Sequence, residues 1–221
     1  MDIKGVIFDL DGVICSTDEY HYLAWKELAD SLGLPFDREV NSRMRGVSRM
    51  DSLEILLEGY RGPALSRADR EALAARKNRR YRALLCRMTP ADLSPEVRET
   101  LEALRAGGLR LAIGSSSKNA PFILERVGLS GWFDGVVDGS CIARAKPDPE
   151  VFLRAAALLG LSPARCLVVE DAAAGAQAGH AGGFTVACVG DAARAGAGDF
   201  NLTRIGQLRT LLCPGSGPYE G

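Results

Sequence analysis

The sequence predicts an α/β fold: a parallel sheet with crossover helices, interrupted once by a helical insert. Two observations carry this. Short apolar runs rich in β-branched residues recur along the chain, each ending in a polar or glycine-containing turn, with helix-like segments between them. From residue 18 to residue 88 that rhythm stops, and the periodicity is helical without a strand-like run.

The elements follow in order. The first strand, "GVIF", ends at Asp9. The insert then reads as "DEYHYLAWKELADSLG", "SRMDSLEILLEGY" and "RADREALAARKNRRYRALL", with "RGPALS" as a turn, and returns to the sheet through "RMTPADLSPE". The remaining strands are "LRLAI" before "GSSS", "GVV" before Asp138, "CLVV" before Glu170 and "TVACV" before Gly190. The tail "CPGSGPYEG" is rich in Gly and Pro and is expected to be poorly ordered. The expected division is a Rossmann-like parallel-sheet core over 1–16 and 89–221, with an α-helical cap domain over 17–88.

Composition narrows the function. The 221 residues suffice for a full core, and 27 Lys+Arg against 28 Asp+Glu leave no global field to attract nucleic acid or an anionic membrane. Neither is expected as a partner, and any affinity for anions must be local. No apolar stretch is long enough to span a membrane, and "MDIKGVIFDLDG" lacks the basic and apolar regions of a secretory signal, so a cytoplasmic protein is expected. The six cysteines contain no CxxC pair and are expected to be reduced and mostly packed. With only His21 and His180, far apart in sequence, a multi-histidine metal site is not expected.

In open parallel sheets, ligands bind beyond the carboxyl ends of the strands. The polar groups there are Asp9 and Asp11, Ser115, and Glu170 with Asp171. Converging carboxylates repel one another and raise their pKa values unless a cation sits among them, and an all-oxygen set suits Mg²⁺. Each residue has an ordinary structural role as well. An Asp after a strand forms turns, Ser115 to Ser117 can cap a helix starting near Asn119, and a lysine such as Lys146 is commonly a solvated charge. His21, on an aromatic-rich stretch, is more often structural than catalytic.

Taken together, "FDLDGVI", "GSSSKN", "AKPDPEVF" and "VVEDAAAGAQAG" resemble, in this order and spacing, the four signature motifs of the haloacid dehalogenase superfamily of phosphotransferases. In the insert, "DEYHYLAWKELA", "RGVSRMDSL" and "RKNRRY" are similar to the helical cap of its β-phosphoglucomutase members, and "SKNAPF" to their phosphate-binding loop.

The resemblance implies roles for individual residues. Asp9 is the nucleophile that becomes an aspartyl phosphate, and Asp11 the general acid and base. Asp9, the Asp11 backbone carbonyl, Glu170 and Asp171 hold one Mg²⁺. Ser115 and Lys146 bind the transferring phosphoryl group. Thr17 lies at a hinge. His21, Lys77 and the loop of Arg45, Gly46 and Val47 engage the sugar, with Trp25, Ser52 and Ser116 also among the substrate-binding residues. Arg49 with Ser117, Lys118 and Asn119 holds a second phosphate, for which a planar guanidinium is suited.

The expected reaction is interconversion of β-D-glucose 1-phosphate and glucose 6-phosphate through the 1,6-bisphosphate, by a monomer. A sugar-phosphate phosphatase is the nearest alternative. A non-catalytic sugar-phosphate sensor is a third, opposed by the intact set Asp9, Asp11, Lys146 and Asp171. Two positions depart from the pattern: Arg45 stands where Lys is usual, and Ser16 where Asp is common.

Overall fold

The computed structural model describes residues 2–44 and 47–213. Arg45, Gly46 and the tail from residue 214 lie outside the described residues. Six strands form one sheet: β1 (Gly5–Phe8), β2 (Arg110–Gly114), β3 (Gly135–Val137), β4 (Cys166–Glu170), β5 (Thr185–Cys188) and β6 (Phe200–Asn201). Their order is β3-β2-β1-β4-β5-β6, and every pairing is parallel. The order therefore reverses at β1, and the crevice beyond the carboxyl ends of β1 and β4 is the place where such sheets bind ligands.

Each central strand is apolar on both faces because both are covered. Val6 and Phe8 of β1 join Leu111, Ile113, Leu167 and Val169 in one buried cluster. Helices α5 (Pro95–Ala106), α6 (Ala120–Arg126) and α10 (Gln207–Leu212) supply Leu101, Leu104, Ile123 and Leu208 to it. Ile7 faces the other way, with Ala112, Val168 and Val186, against Phe152 and Ala155 of α7 (Glu150–Leu158) and Ala176 and Ala178 of α8 (Ala173–Ala181).

Between β1 and α5 come α1 (Asp18–Ser31), α2 (Arg38–Ser42), α3 (Arg49–Leu57) and α4 (Arg67–Leu85). They pack around a third apolar cluster, which includes Trp25, Leu28, Phe36, Leu53, Leu56 and Ala74. Serines set two of the starts. The Ser48 hydroxyl accepts from the Asp51 N–H, and Ser66 and Asp69 form a reciprocal capping box ahead of α4.

The observed strands begin or end within one residue of the predicted runs, with one omission. The two-residue β6, paired with β5, carries no periodic signal and was not predicted. A short helix α9 (Gly190–Arg194) precedes it. The expectation of mostly packed thiols also needs correction: Cys15, Cys166 and Cys188 are buried, but Cys86 and Cys141 are exposed and Cys213 is half-buried, with none of the six in a disulfide.

Candidate active site

Asp9 is the first residue past β1, and its N–H still donates to the Val169 carbonyl at 2.9 Å, so the ladder holds its backbone in place. The chain then turns back, with the Ile14 and Cys15 N–H groups both bonded to the Leu10 carbonyl. Asp9 and Asp11, on either side of the bend at Leu10, line the same cavity. Gly12, at φ 82°, makes the turn, and a Cβ there would fall on the Asp171 carboxylate. Glu170 ends β4. Its Oε2 accepts from the Asp171 and Ala172 N–H groups at 3.0 and 3.1 Å, while Oε1 accepts from Lys146 Nζ at 2.6 Å. Lys146 also donates to Asp9 Oδ1.

One carboxylate oxygen each from Asp9, Glu170 and Asp171 lie within 4.8 Å of one another. Lys146 pairs with two of the three, Asp9 and Glu170. Burial pushes the Asp9 carboxyl well up, Lys146 opposes this, and the neighbouring Glu170 and Asp171 reinforce it. Burial also disfavours charge on Lys146, yet Asp9 and Glu170 outweigh it and hold the ammonium above its ordinary range. The set fits a divalent cation: all its donors are hard oxygens, and they lie close enough together to share one ion. Gly175 of α8 leaves the space for it, since a Cβ there would fall on the Glu170 carboxylate.

The Asp11 side chain stands outside that trio. Its Oδ1 accepts from the Thr17 hydroxyl, and Thr17 in turn accepts from the Tyr81 hydroxyl at 2.8 Å. Burial raises the Asp11 pKa against the pull of the Thr17 hydrogen bond and of Lys77.

Past β2, the Ser115 N–H keeps the sheet bond to the Val137 carbonyl. Of the two roles open to the serines, helix capping is not what they do. Helix α6 starts at Ala120 after Asn119, with no side-chain cap bond, while Ser115 Oγ accepts from the Ser117 N–H and Ser117 Oγ from the Asn119 N–H. Gly139 lets the loop after β3 close onto this turn, for a Cβ there would meet the Ser116 carbonyl oxygen. The Ser116 hydroxyl oxygen is buried without a hydrogen-bond partner.

The rest of the lining comes from the helices. Lys77 of α4 is 3% exposed, its Nζ 2.9 Å from His21 Nδ1 and 4.6 Å from the ring centres of Trp25 and Tyr81. Burial, with Arg49 nearby, lowers the Lys77 pKa well below its ordinary value. Burial also lowers that of His21, reinforced by Lys77 and Arg49. With the Lys77 ammonium donating, a neutral His21 accepts at Nδ1 and carries its proton on Nε2. Arg49 is desolvated in the same way, and among the described residues neither Arg49 nor Lys77 forms an ion pair with a carboxylate.

These groups surround a cavity of about 830 Å³. Every described residue singled out from the sequence lines it: Asp9, Asp11, Thr17, His21, Trp25, Val47, Arg49, Ser52, Lys77, Ser115, Ser116, Ser117, Lys118, Asn119, Lys146, Glu170 and Asp171. Arg45 and Gly46 fall outside the described residues. The departing Ser16 lines it too. Sequence reasoning missed Asn41, Asn78 and Tyr81, which line the same cavity, and Gly139, which shapes it. For Tyr81 and Asn78 the signal was "RKNRRY", from which only Lys77 was taken.

The family model for haloacid dehalogenase-like hydrolases matches residues 3–183. The chain belongs to this family. Among haloacid dehalogenase-like proteins it is 45% identical over 189 residues to the β-phosphoglucomutase of Bacillus subtilis, covering 85% of this chain and 84% of that protein. It is 30% identical to a phosphorylated carbohydrates phosphatase of Thermotoga maritima, covering 82% of each. Among solved structures, the β-phosphoglucomutase of Clostridium difficile superposes with a TM-score of 0.88 at 34% identity, covering 93% of each chain. The haloacid dehalogenase-like assignment agrees with the parallel sheet and its reversal at β1.

Proposed function

We propose that the protein is a β-phosphoglucomutase, interconverting β-D-glucose 1-phosphate and glucose 6-phosphate through β-glucose 1,6-bisphosphate. The observation that carries this is that two charged sets line one cavity. Buried Asp9 and Glu170 with Lys146 line it from the strand ends, and desolvated Arg49 and Lys77 line it from the helices. A hydrolase acting on one phosphate needs only the first set and a water. A substrate phosphorylated at both ends also uses the cations from the helices. The 45% identity to a β-phosphoglucomutase supports the same reading.

In this mechanism the phosphorylated Asp9 carboxylate donates its phosphoryl group to the C6 hydroxyl of β-glucose 1-phosphate, and Asp11 takes the hydroxyl proton. The bisphosphate turns over in the cavity. The Asp9 carboxylate then attacks the phosphorus at C1, the bond to the C1 oxygen breaks, and Asp11 returns the proton to that oxygen, releasing glucose 6-phosphate. Ser115 and Lys146 steady charge on the transferring group. Asp9, the Asp11 carbonyl, Glu170 and Asp171 would hold Mg²⁺, whose positive charge when bound draws phosphoryl oxygens to Asp9 and offsets the carboxylate charge.

Helices α1 to α4 act as a cap over 17–88, hinged at Thr17, on a core of 1–16 and 89–221. Closed, they exclude water from the aspartyl phosphate, which would otherwise be hydrolysed. No helix among the described residues is long and apolar enough to cross a membrane. The proposed setting is the cytoplasm, and the proposed active form a monomer.

The deciding experiment incubates the protein with β-glucose 1-phosphate, a trace of the bisphosphate and Mg²⁺, and resolves glucose 6-phosphate from free phosphate. Glucose 6-phosphate as the main product supports the mutase. Free phosphate alone, from either anomer, replaces it with a sugar-phosphate phosphatase.

A further inference from the structure

Asn119 Nδ2 donates to Asn78 Oδ1 at 3.0 Å. Asn78 follows Lys77 on α4, and Asn119 is the 4%-exposed residue that precedes α6 at the phosphate-loop end of the cavity. Among the described residues this is the one hydrogen bond between side chains that joins α1 to α4 with the chain beyond residue 89. Apolar packing crosses the same boundary at Tyr81, Leu84 and Leu85, and so do two further side-chain contacts. The Arg126 guanidinium donates to the carbonyls of Cys86 and Met88, and Arg82 lies 4.6 Å over the Phe122 ring. Both of these side-chain contacts sit near the point where the helices rejoin the sheet, so a rotation about that point leaves them largely in place. Asn78 is eight residues up α4 from Cys86, about 12 Å along the helix axis. A rotation therefore parts Asn78 from Asn119 first.

We propose that Asn78 is the latch of the closed state: a positioning residue that pins α4, and with it Lys77, against the Ser115 to Asn119 loop. The bond uses one N–H of the Asn119 carboxamide and the Asn78 carbonyl, both at the cavity wall. Being neutral, it is worth about a three- to tenfold shift in the ratio of closed to open forms. It acts on closure before substrate arrives. The kinetic consequence rests on the mutase reading: a cap that opens more often exposes the aspartyl phosphate to water and diverts phosphoryl groups to hydrolysis.

The test uses two variants. Asn78→Ala removes the acceptor, whereas Asn78→Asp keeps a carboxylate oxygen for Asn119 but loses the amide donor, which separates a latch from a direct donor to substrate. Small-angle X-ray scattering of the ligand-free proteins, each with a wild-type circular dichroism spectrum, is expected to show a larger radius of gyration for Asn78→Ala and a wild-type value for Asn78→Asp. In turnover, Asn78→Ala should raise the ratio of free phosphate to glucose 6-phosphate about three- to tenfold. An Asn78→Ala protein as compact as wild type, or an Asn78→Asp protein as expanded as Asn78→Ala, overturns the latch. The scattering involves no substrate, so expansion of Asn78→Ala supports the latch even if the wild type proves to make only free phosphate.

Discussion

Lys146 Nζ lies 2.6 Å from Glu170 Oε1, the two residues 4% and 1% exposed, and from the same position the ammonium reaches Asp9. One cation thus holds together two buried acids, with Asp171 alongside. Lys146→Met would leave those carboxylates without it, and breaking a buried ion pair from one side costs about 3–5 kcal/mol. Urea unfolding in EDTA should show that loss, and added Mg²⁺ should return part of it by neutralising the same oxygens. A loss below about 1 kcal/mol would mean that the cluster does not depend on this charge.

Asp9 and Asp11 are predicted to fail differently. Asp9→Asn removes the nucleophile and a carboxylate of the acidic trio, so turnover should fall by several orders of magnitude with an unchanged circular dichroism spectrum. Asp11→Asn leaves the trio intact, because the Asp11 side chain faces Thr17 instead. Its turnover should collapse too, while Mg²⁺ affinity measured by calorimetry stays within a few fold of wild type. If Asp11→Asn weakened Mg²⁺ as much as Asp171→Ala, the division of roles would be wrong.

Gly175 supplies a test that touches no ligand. It lies inside α8, where replacing Gly by Ala ordinarily stabilises a helix by about 1 kcal/mol. Here the added methyl would fall on the buried Glu170 carboxylate, so Gly175→Ala should lower the melting temperature and weaken Mg²⁺ at least tenfold. A variant melting higher, with wild-type Mg²⁺ affinity, would show that the space beside Glu170 is not needed.

Much of the site was legible because the sheet does the aligning. Any polar residue just past a parallel strand reaches the same rim, so Asp9, Ser115 and Glu170 could be placed together from strand ends alone. What stayed hidden were contacts made by one helix across the cavity. Tyr81 is 64 residues from Thr17, and Asn78 is 41 from Asn119. On a helix whose polar residues run all round, spacing does not show which face turns inward. The serines were ambiguous for a related reason: a hydroxyl before a helix can cap it or tie the preceding turn, and only the backbone path decides. Strand β6 is too short for any period to register.

His21 gives the stability a sign with pH. Burial first, then Lys77 and Arg49, hold its folded pKa well below 6.5, while the unfolded chain protonates it near that value. Below pH 6.5 the unfolded state therefore binds a proton that the native state refuses. Stability should fall as pH drops, by up to about 1.4 kcal/mol per unit, until the folded pKa is reached. His21→Gln removes the proton-binding group from both states, so the difference between wild type and variant should itself change across pH 6.5 to 5 in urea titrations. Parallel stability curves over that window would show that His21 protonates as readily folded as unfolded.

Arg49 separates mutase from phosphatase. Its guanidinium, desolvated at the start of α3, lines the cavity shared with the acids, where a second phosphate would lie during transfer to the sugar. Arg49→Ala removes a charge-assisted contact worth about 1.5 to 3 kcal/mol, so phosphoryl transfer to glucose phosphates should fall about tenfold or more. Transfer to water makes no use of a second phosphate and should fall much less. The ratio of free phosphate to glucose 6-phosphate should therefore rise in the variant, measured by coupled assays on the same sample. If both rates fell equally, Arg49 would bind the substrate without telling sugar from water, and the cations lining the cavity from the helices would no longer argue for a mutase.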